Sequence, residues 1–335
     1  MRSSRGKLLS GLGVALCALA VAVAVSMGLG ARTVPLSTVA ESLLHFDPHD
    51  VDHLAIWELR LPRTALGLLA GAALGMAGAV MQGVTRNPLA DPGILGVNAG
   101  AALFIVVGID IFGITALNGY VWFGLVGAAL AACLVYAVSS LGRGGATPVK
   151  LALSGAAVSA ALTSLTTAVL LLDANAFDQF RFWQVGSLSG RDGTVVGQAL
   201  PFLAVGAVLA LASGRMLNAL ALGEDTARSL GRRVHRDRAA AALSVVLLCG
   251  AATAMCGPIA FVGLAVPHLA RLITGPDYRW ILPYSLLLAP LLVLAADIVG
   301  RLAIRPSELQ VGLMTPLLGA PVFVLLVRRR KLAEL

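Results

Sequence analysis

The sequence predicts an all-α polytopic membrane protein of about ten transmembrane helices, and three observations predict it. Of 335 residues, 58% are hydrophobic and only 13% are charged, and the mean hydropathy is +0.87. A soluble protein of this length keeps more charge, because its surface must be hydrated. The apolar residues form runs of about 16 to 22 separated by short polar breaks, and roughly 20 helical residues cross a bilayer. The basic residues fall unequally on alternate breaks, as they do in multi-pass proteins.

In order, the runs cover 8–29, 64–83, 94–110, 119–140, 151–172, 194–213, 239–256, 258–273, 281–299 and 309–327. The eighth is short and follows the seventh almost directly, which leaves nine and eleven as alternative counts. The first follows "MRSSRGK". Its apolar stretch is longer than a signal-peptide core and many spans follow, so it reads as a retained first helix.

Placing the N-terminus in the cytosol puts 18 of the Lys and Arg residues inside and 7 outside, the outer set being Arg32, Arg60, Arg63, Arg181, Arg191, Arg301 and Arg305. Positive charge concentrates on the cytosolic side of membrane proteins. The basic balance therefore follows from topology and requires no nucleic-acid partner. An even span count also brings the terminal "RRRK" back to the cytosol, so both termini are expected there. Cys17, Cys133, Cys249 and Cys256 lie in apolar runs without CxxC or Cys/His spacing, so neither disulfide nor metal is expected.

Lipid gives helices little hydrophobic reason to associate, and small residues let backbones approach. In the second run Gly67, Gly71, Gly75, Ala79 and Gly83 recur every four residues, and in the fifth Gly155, Ser159, Thr163 and Thr167 do so beside Ala156, Ala160, Ser164 and Ala168. These stripes mark either tight helix packing or the lining of a pathway. The spans carry almost no internal charge. Asp110, Asp173 and Asp297 fall near span ends, whereas ion-coupled transport usually leaves a carboxylate near mid-membrane. GxxxxGK[ST], HExxH and GxSxG patterns are absent. An ion-coupled secondary transporter and an intramembrane enzyme thus remain as rivals without a visible site. Uphill transport would need a partner's energy.

Between the sixth and seventh runs, "GEDTARSLGRRVHRDR" (223–238) gathers Glu224, Asp225, Arg228, Arg232, Arg233, Arg236, Asp237 and Arg238. Glu224 and Asp225 suit a helix N-terminus and Arg228 its C-terminus. Gly231 suits a left-handed C-cap, and Ala227 and Leu230, three apart, would share a face. The segment 214–238 is therefore expected to carry a short cytosolic docking helix, the alternative being a solvated connecting loop. In "TRNPLADPGILG", Pro88 and Pro92 keep spans two and three from fusing, and Asn87 or Asp91 is placed to cap the next helix.

"ALGEDTARSLG" resembles the cytosolic coupling segment of the iron-siderophore and cobalamin ABC permeases, the FecCD family. "LRLPR" (59–63), "GAVMQGVTRNPLADPGILGVNAGA" (78–101), "GPIAFVGLAVPHLARLITGPDYRW" (257–280), "ADIVGR" and "LLGAPVF" are similar to further family motifs in the same order. "FRFWQVGSLSGRDG", "NALALGEDTARSLG" and "GPDYRW" resemble ferric-enterobactin-type subunits in particular. The resemblance covers nearly the whole chain, 1–335, as a single permease domain. It implies the cobalamin-permease-like, type II importer fold of ten helices, with no enzymatic activity and no cofactor of its own. It further implies two ABC ATPase subunits, a second permease subunit (identical or related) and an extracytoplasmic binding protein, in the inner membrane of a bacterium. The implied cargo is a ferric siderophore of catecholate type, with cobalamin or haem as the alternative within the family. By the same resemblance, Gly223, Glu224, Ala227, Leu230 and Gly231 match the ATPase-coupling segment, and Arg60, Arg63 and Arg301 match positions facing the binding protein. The bland reading of those three arginines is interfacial anchoring of helix ends.

Overall fold

The computed structural model describes residues 5–30, 32–141, 147–191, 193–304 and 307–329. Arg2, Arg143, Arg305, Arg330 and Lys331, counted in the charge asymmetry, lie outside them. Ten apolar helices follow the ten predicted runs in order. They are α1 (Arg5–Gly28), α4 (Leu61–Thr85), α5 (Val97–Phe112), α6 (Leu117–Ser140), α7 (Pro148–Leu172), α9 (Gly193–Ala212), α12 (Val234–Cys256), α13 (Val262–Thr274), α14 (Tyr278–Ala303) and α15 (Val311–Arg329). Five short helices connect them: α2 (Leu36–Leu44), α3 (Val51–Leu54), α8 (Ala174–Gln184), α10 (Gly214–Ala221) and α11 (Glu224–Ser229). Among the described residues seven helices are long and apolar enough to cross a membrane, while Val97–Phe112, Val262–Thr274 and Val311–Pro321 are shorter apolar segments. At 1.5 Å per residue α13 reaches only about 20 Å, less than the hydrocarbon thickness. The short eighth run is thus an incomplete crossing.

Two boundaries differ from expectation. The second span continues backward through a π-helical stretch, Ala55–Arg60, into α3, so Arg60 and Arg63 are helical residues. The seventh begins at Val234, five residues before the apolar run. Arg236, Asp237 and Arg238 therefore belong to the first turns of α12, where Asp237 pairs with Arg232 and Arg238 with Glu224 while Arg236 stays exposed.

α4 is the axis of the bundle, packed against α14, α12 and α13. Its glycine stripe is what allows this. A Cβ on Gly71 would lie 2.6 Å from the Pro290 Cα, and one on Gly75 would collide with Ala289. Gly67 faces Leu294 in the same way. With no side chain between them, the two backbones approach closely, and dispersion contacts replace the hydrophobic drive that lipid does not supply. The α1 and α7 helices, by contrast, lie mostly outside the packed core. α1 is fastened at discrete points, one being Tyr284 Oη, which donates to the Leu8 carbonyl at 2.8 Å.

The break between α4 and α5 forms as the prolines predicted. Arg86 takes a left-handed φ of 52°. Asn87 Oδ1 accepts from the Leu89 amide at 2.9 Å and Asp91 Oδ1 from the Gly93 amide at 2.8 Å. Asp91 thereby caps the 3₁₀ turn Pro92–Leu95, one element before α5. Cys249 and Cys256 are buried, but Cys17 and Cys133 face outward from their helices, so a place in an apolar run does not by itself bury a thiol within the bundle.

Candidate functional site

Functional chemistry gathers at the two ends of the bundle. At the basic end, α10 turns Met216, Leu217 and Leu220 inward and is tied to the start of α14. Asn218 Nδ2 donates to Asp277 Oδ1 at 2.6 Å, and the Tyr278 amide donates to Asn218 Oδ1 at 2.9 Å. Hydrogen bonds from Arg279, joined by the Asn218 amide and outweighing partial burial, hold the Asp277 carboxyl down at about 2.

The chain then reverses at Gly223, whose φ of 106° and ψ of 155° are open in practice only to glycine. Glu224 and Asp225 begin α11 at its positive end. Its C-terminus closes as a Schellman motif. The Gly231 amide, at φ 79°, bonds the Arg228 carbonyl at 2.9 Å, and the Arg232 amide bonds the Ala227 carbonyl at 3.0 Å. Glu224 accepts from Arg238 of α12 and pairs with Arg228 of its own helix. Burial pushes its carboxyl up, but the Arg238 bond and the charges of Arg238, Arg228 and Arg86 outweigh this and leave it below the ordinary range. A charge clamp thus fixes α11 against α12.

The expectation that Ala227 and Leu230 share one docking face needs correction. Ala227 is wholly buried against the bundle, whereas Leu230 is 61% exposed. With only six residues in α11, the turn at Leu230 swings that side chain away from the buried face. Exposed apolar groups at this end include Leu230, Leu222 at 67%, and Leu89 of the α4–α5 break. Leu89 escaped sequence reasoning because an isolated leucine in a polar loop carries no periodic signal, and Leu222 because it follows directly on the apolar residues that α10 buries.

At the opposite end, Arg60, Arg63 and Arg301 line one depression of about 980 Å³, together with Glu308 and Arg191. Their guanidinium groups, however, are turned inward. Arg60 donates to the Met27 and Arg32 carbonyls. Arg301 donates to the Ser26 and Leu29 carbonyls at 3.0 and 2.7 Å. These oxygens close the C-terminal end of α1, where carbonyls lack helical partners and the dipole is negative. Arg301 also pairs with Asp297 at 2.8 Å, and the two side chains are only 3% and 1% exposed. Arg63 completes the cluster through Asp297 at 2.8 Å and Glu308 at 2.6 Å. None of the three is a free cation awaiting a partner's carboxylate. Asp297 stands four residues before Arg301 in one helix, a pairing legible in "ADIVGR", while Glu308 arrives from beyond the end of α14.

The two small-residue stripes also separate. Gly67, Gly71 and Gly75 are packing surfaces. On α7, Gly155 meets the Ile94 carbonyl, but Ser159 is half-exposed and Thr163, Ser164, Thr167 and Ala168 are exposed. The Ser164 and Thr167 hydroxyls bond back to carbonyls four residues earlier, at 2.9 and 3.0 Å. Among the described residues little packs on that face from Thr163 onward. Among the described residues no group of three or more His, Cys, Asp or Glu side chains could hold a metal ion.

A helical bundle with a glycine-bracketed helix clamped beneath it is the architecture of an ABC-transporter permease. The chain belongs to the FecCD transport family, which it matches over residues 18–329. It is 47% identical over 303 residues, 90% of each chain, to the ferric enterobactin transport system permease protein FepD of Escherichia coli (strain K12). It is 42% identical over 317 residues, 94% of this chain and 82% of the relative, to the iron(3+)-hydroxamate import system permease protein FhuB of Bacillus subtilis (strain 168). A solved structure described as an inward-facing metal-chelate type ABC transporter superposes with a TM-score of 0.83 at 27% identity, covering 96% of this chain and 99% of that one. The chain is accordingly a multi-pass membrane permease subunit and not itself an enzyme.

Proposed function

We propose that this chain is one of two permease subunits of an ATP-driven importer that carries a ferric siderophore inward across the bacterial inner membrane. Catecholate chelates are the favoured cargo, supported by the likeness to FepD. Both termini lie in the cytosol, as the positive-inside asymmetry of the loops supports. The observation that carries the mechanism is α11, a rigid helix bracketed by glycines, clamped by Glu224–Arg238 and edged by exposed Leu222 and Leu230.

ATPase subunits grip α11 through those leucines, and their closure on ATP is passed by the clamp to α12 and so to α4, against which α12 packs. The exposed small face of α7, including Ser159 and Thr163, meets the second permease subunit and lines the passage. The rim around Arg60, Arg63 and Arg301 receives the binding protein through its shape and exposed Glu58, while the arginines hold that rim in place. The test is Leu230→Glu in the assembled importer. It should leave thermal stability within about 0.5 kcal/mol, as surface changes do, yet abolish ATP-driven uptake of ferric catecholate. Normal uptake by a well-inserted variant would refute the coupling role. Ala227→Glu is no substitute, because it would bury a charge.

A further inference from the structure

Arg191 stands apart from the other arginines of the outer depression. It sits in the loop between α8 and α9, is only 8% exposed, and its Nε is buried without a hydrogen-bond partner. Among the described residues it has neither an ion pair nor a hydrogen bond, whereas Arg60, Arg63 and Arg301 have several each. Taking a cation out of water without compensation is costly, so an uncompensated guanidinium is an unfilled half of a pair.

Its surroundings indicate what fills it. Arg191 lines the large depression and also a second pocket of about 350 Å³. That pocket is walled by Tyr120, Gln179, Phe182, Ser187 and Gln310. Tyr120 Oη and Gln179 Oε1 share a hydrogen bond at 3.3 Å, and Phe182 is largely exposed. One buried cation, several neutral hydrogen-bonding groups and an accessible aromatic face make a receptor for an aromatic oxyanion. The cation meets the oxygens and the ring lies on Phe182.

We infer that Arg191 and this pocket form a weak entry subsite for a negatively charged aryl oxyanion, the catecholate face of an anionic ferric chelate. The inference rests on the proposed function for the identity of the cargo. An acidic side chain of the binding protein would offer a carboxylate to the same cation, but the neutral hydrogen-bonding groups and exposed Phe182 beside Arg191 suit an aryl oxyanion, and docking of the chelate-free binding protein separates the two. A ferric tris-catecholate carries negative charge and a ferric tris-hydroxamate carries none, so the subsite sorts chelates by charge.

The test measures direct binding of ferric tris-catecholate and of neutral ferric tris-hydroxamate to the chain in nanodiscs, alongside uptake of each by the complete transporter in proteoliposomes. The wild type should prefer the catecholate in binding. Arg191→Gln should lower the catecholate-to-hydroxamate ratio about tenfold in both assays, and Arg191→Lys should recover most of it. Wild-type binding of the catecholate without transport would refute the proposed function and still support the subsite. Absence of preferential binding by the wild type, or an unchanged ratio in Arg191→Gln, would overturn it. Two further readouts exclude other roles. The unfolding midpoint of Arg191→Gln should match or exceed the wild type, and a fall would make Arg191 structural. Docking of the chelate-free binding protein should be unaffected, and a several-fold loss would assign the cation to that protein instead.

Discussion

The two ends of this permease use charge in opposite ways. At the outer end Arg60 and Arg301 are buried, Arg63 is partly buried, and all three are consumed by carbonyls and carboxylates of their own chain. At the basic end Arg228 and Arg232 remain substantially exposed, and the charge there surrounds a helix with leucines on its outer edge. The lesson is that arginine count predicts side of the membrane but not availability. In the outer cluster the cations are part of the scaffold, whereas at the basic end only Arg238, paired with Glu224, is used in that way, beside the backbone turns at Gly223 and Gly231.

The comparison is tested most severely at Asp297. Asp297→Asn would leave Arg63 and Arg301 without their shared carboxylate, and breaking a buried pair costs about 3–5 kcal/mol. A large drop in the detergent unfolding midpoint is expected. Unchanged stability would mean that charge does not hold the outer end.

A smaller effect is expected from Gly75→Leu, which would force α4 from α14 at Ala289 and the Ser285 carbonyl. Overpacking of this kind costs about 1–3 kcal/mol. Thr163→Leu, on the exposed face of α7, should leave the isolated subunit's midpoint unchanged while reducing co-purification of the second permease subunit. Equal destabilisation by both substitutions would erase the distinction between packing and contact surfaces.

The smallest effect sharpens the basic end. Asp277 sits at about 2, below its unfolded value of 3.8. A carboxyl depressed on folding contributes stability that is complete above the unfolded value and is lost as pH falls through the folded one. The wild-type midpoint should therefore decline between about pH 4 and pH 2 more steeply than that of Asp277→Asn. Parallel curves would show that the Asn218–Asp277–Arg279 linkage does not secure α10.

Much of this architecture was legible beforehand, and the reasons are local. The ten apolar runs predicted ten helices because membrane thickness imposes a length. The Gly67–Gly71–Gly75 stripe announced a smooth surface, for packing or for a pathway, and only the structure assigns it to packing. Gly231 and Asp91 signalled caps through conformations that few residues adopt. What escaped was non-local. The start of α12 among charged residues depends on Glu224 reaching Arg238, and the inward turn of Arg301 depends on the end of α1, some 270 residues earlier. The exposure of Leu230 beside buried Ala227 turns on where a six-residue helix stops. Arg191 carried no signal beyond its side of the membrane, since an absent partner cannot be read from spacing.

The carbonyls closing α1 have a consequence for biogenesis. Ser26 and Leu29 are held by a side chain that is made some 270 residues later in the chain, and a buried carbonyl without a partner is costly. α1 is therefore locked only once α14 has been made, and a nascent chain cut short before Arg301 would leave that helix end visibly unfinished to the cell's membrane proteases.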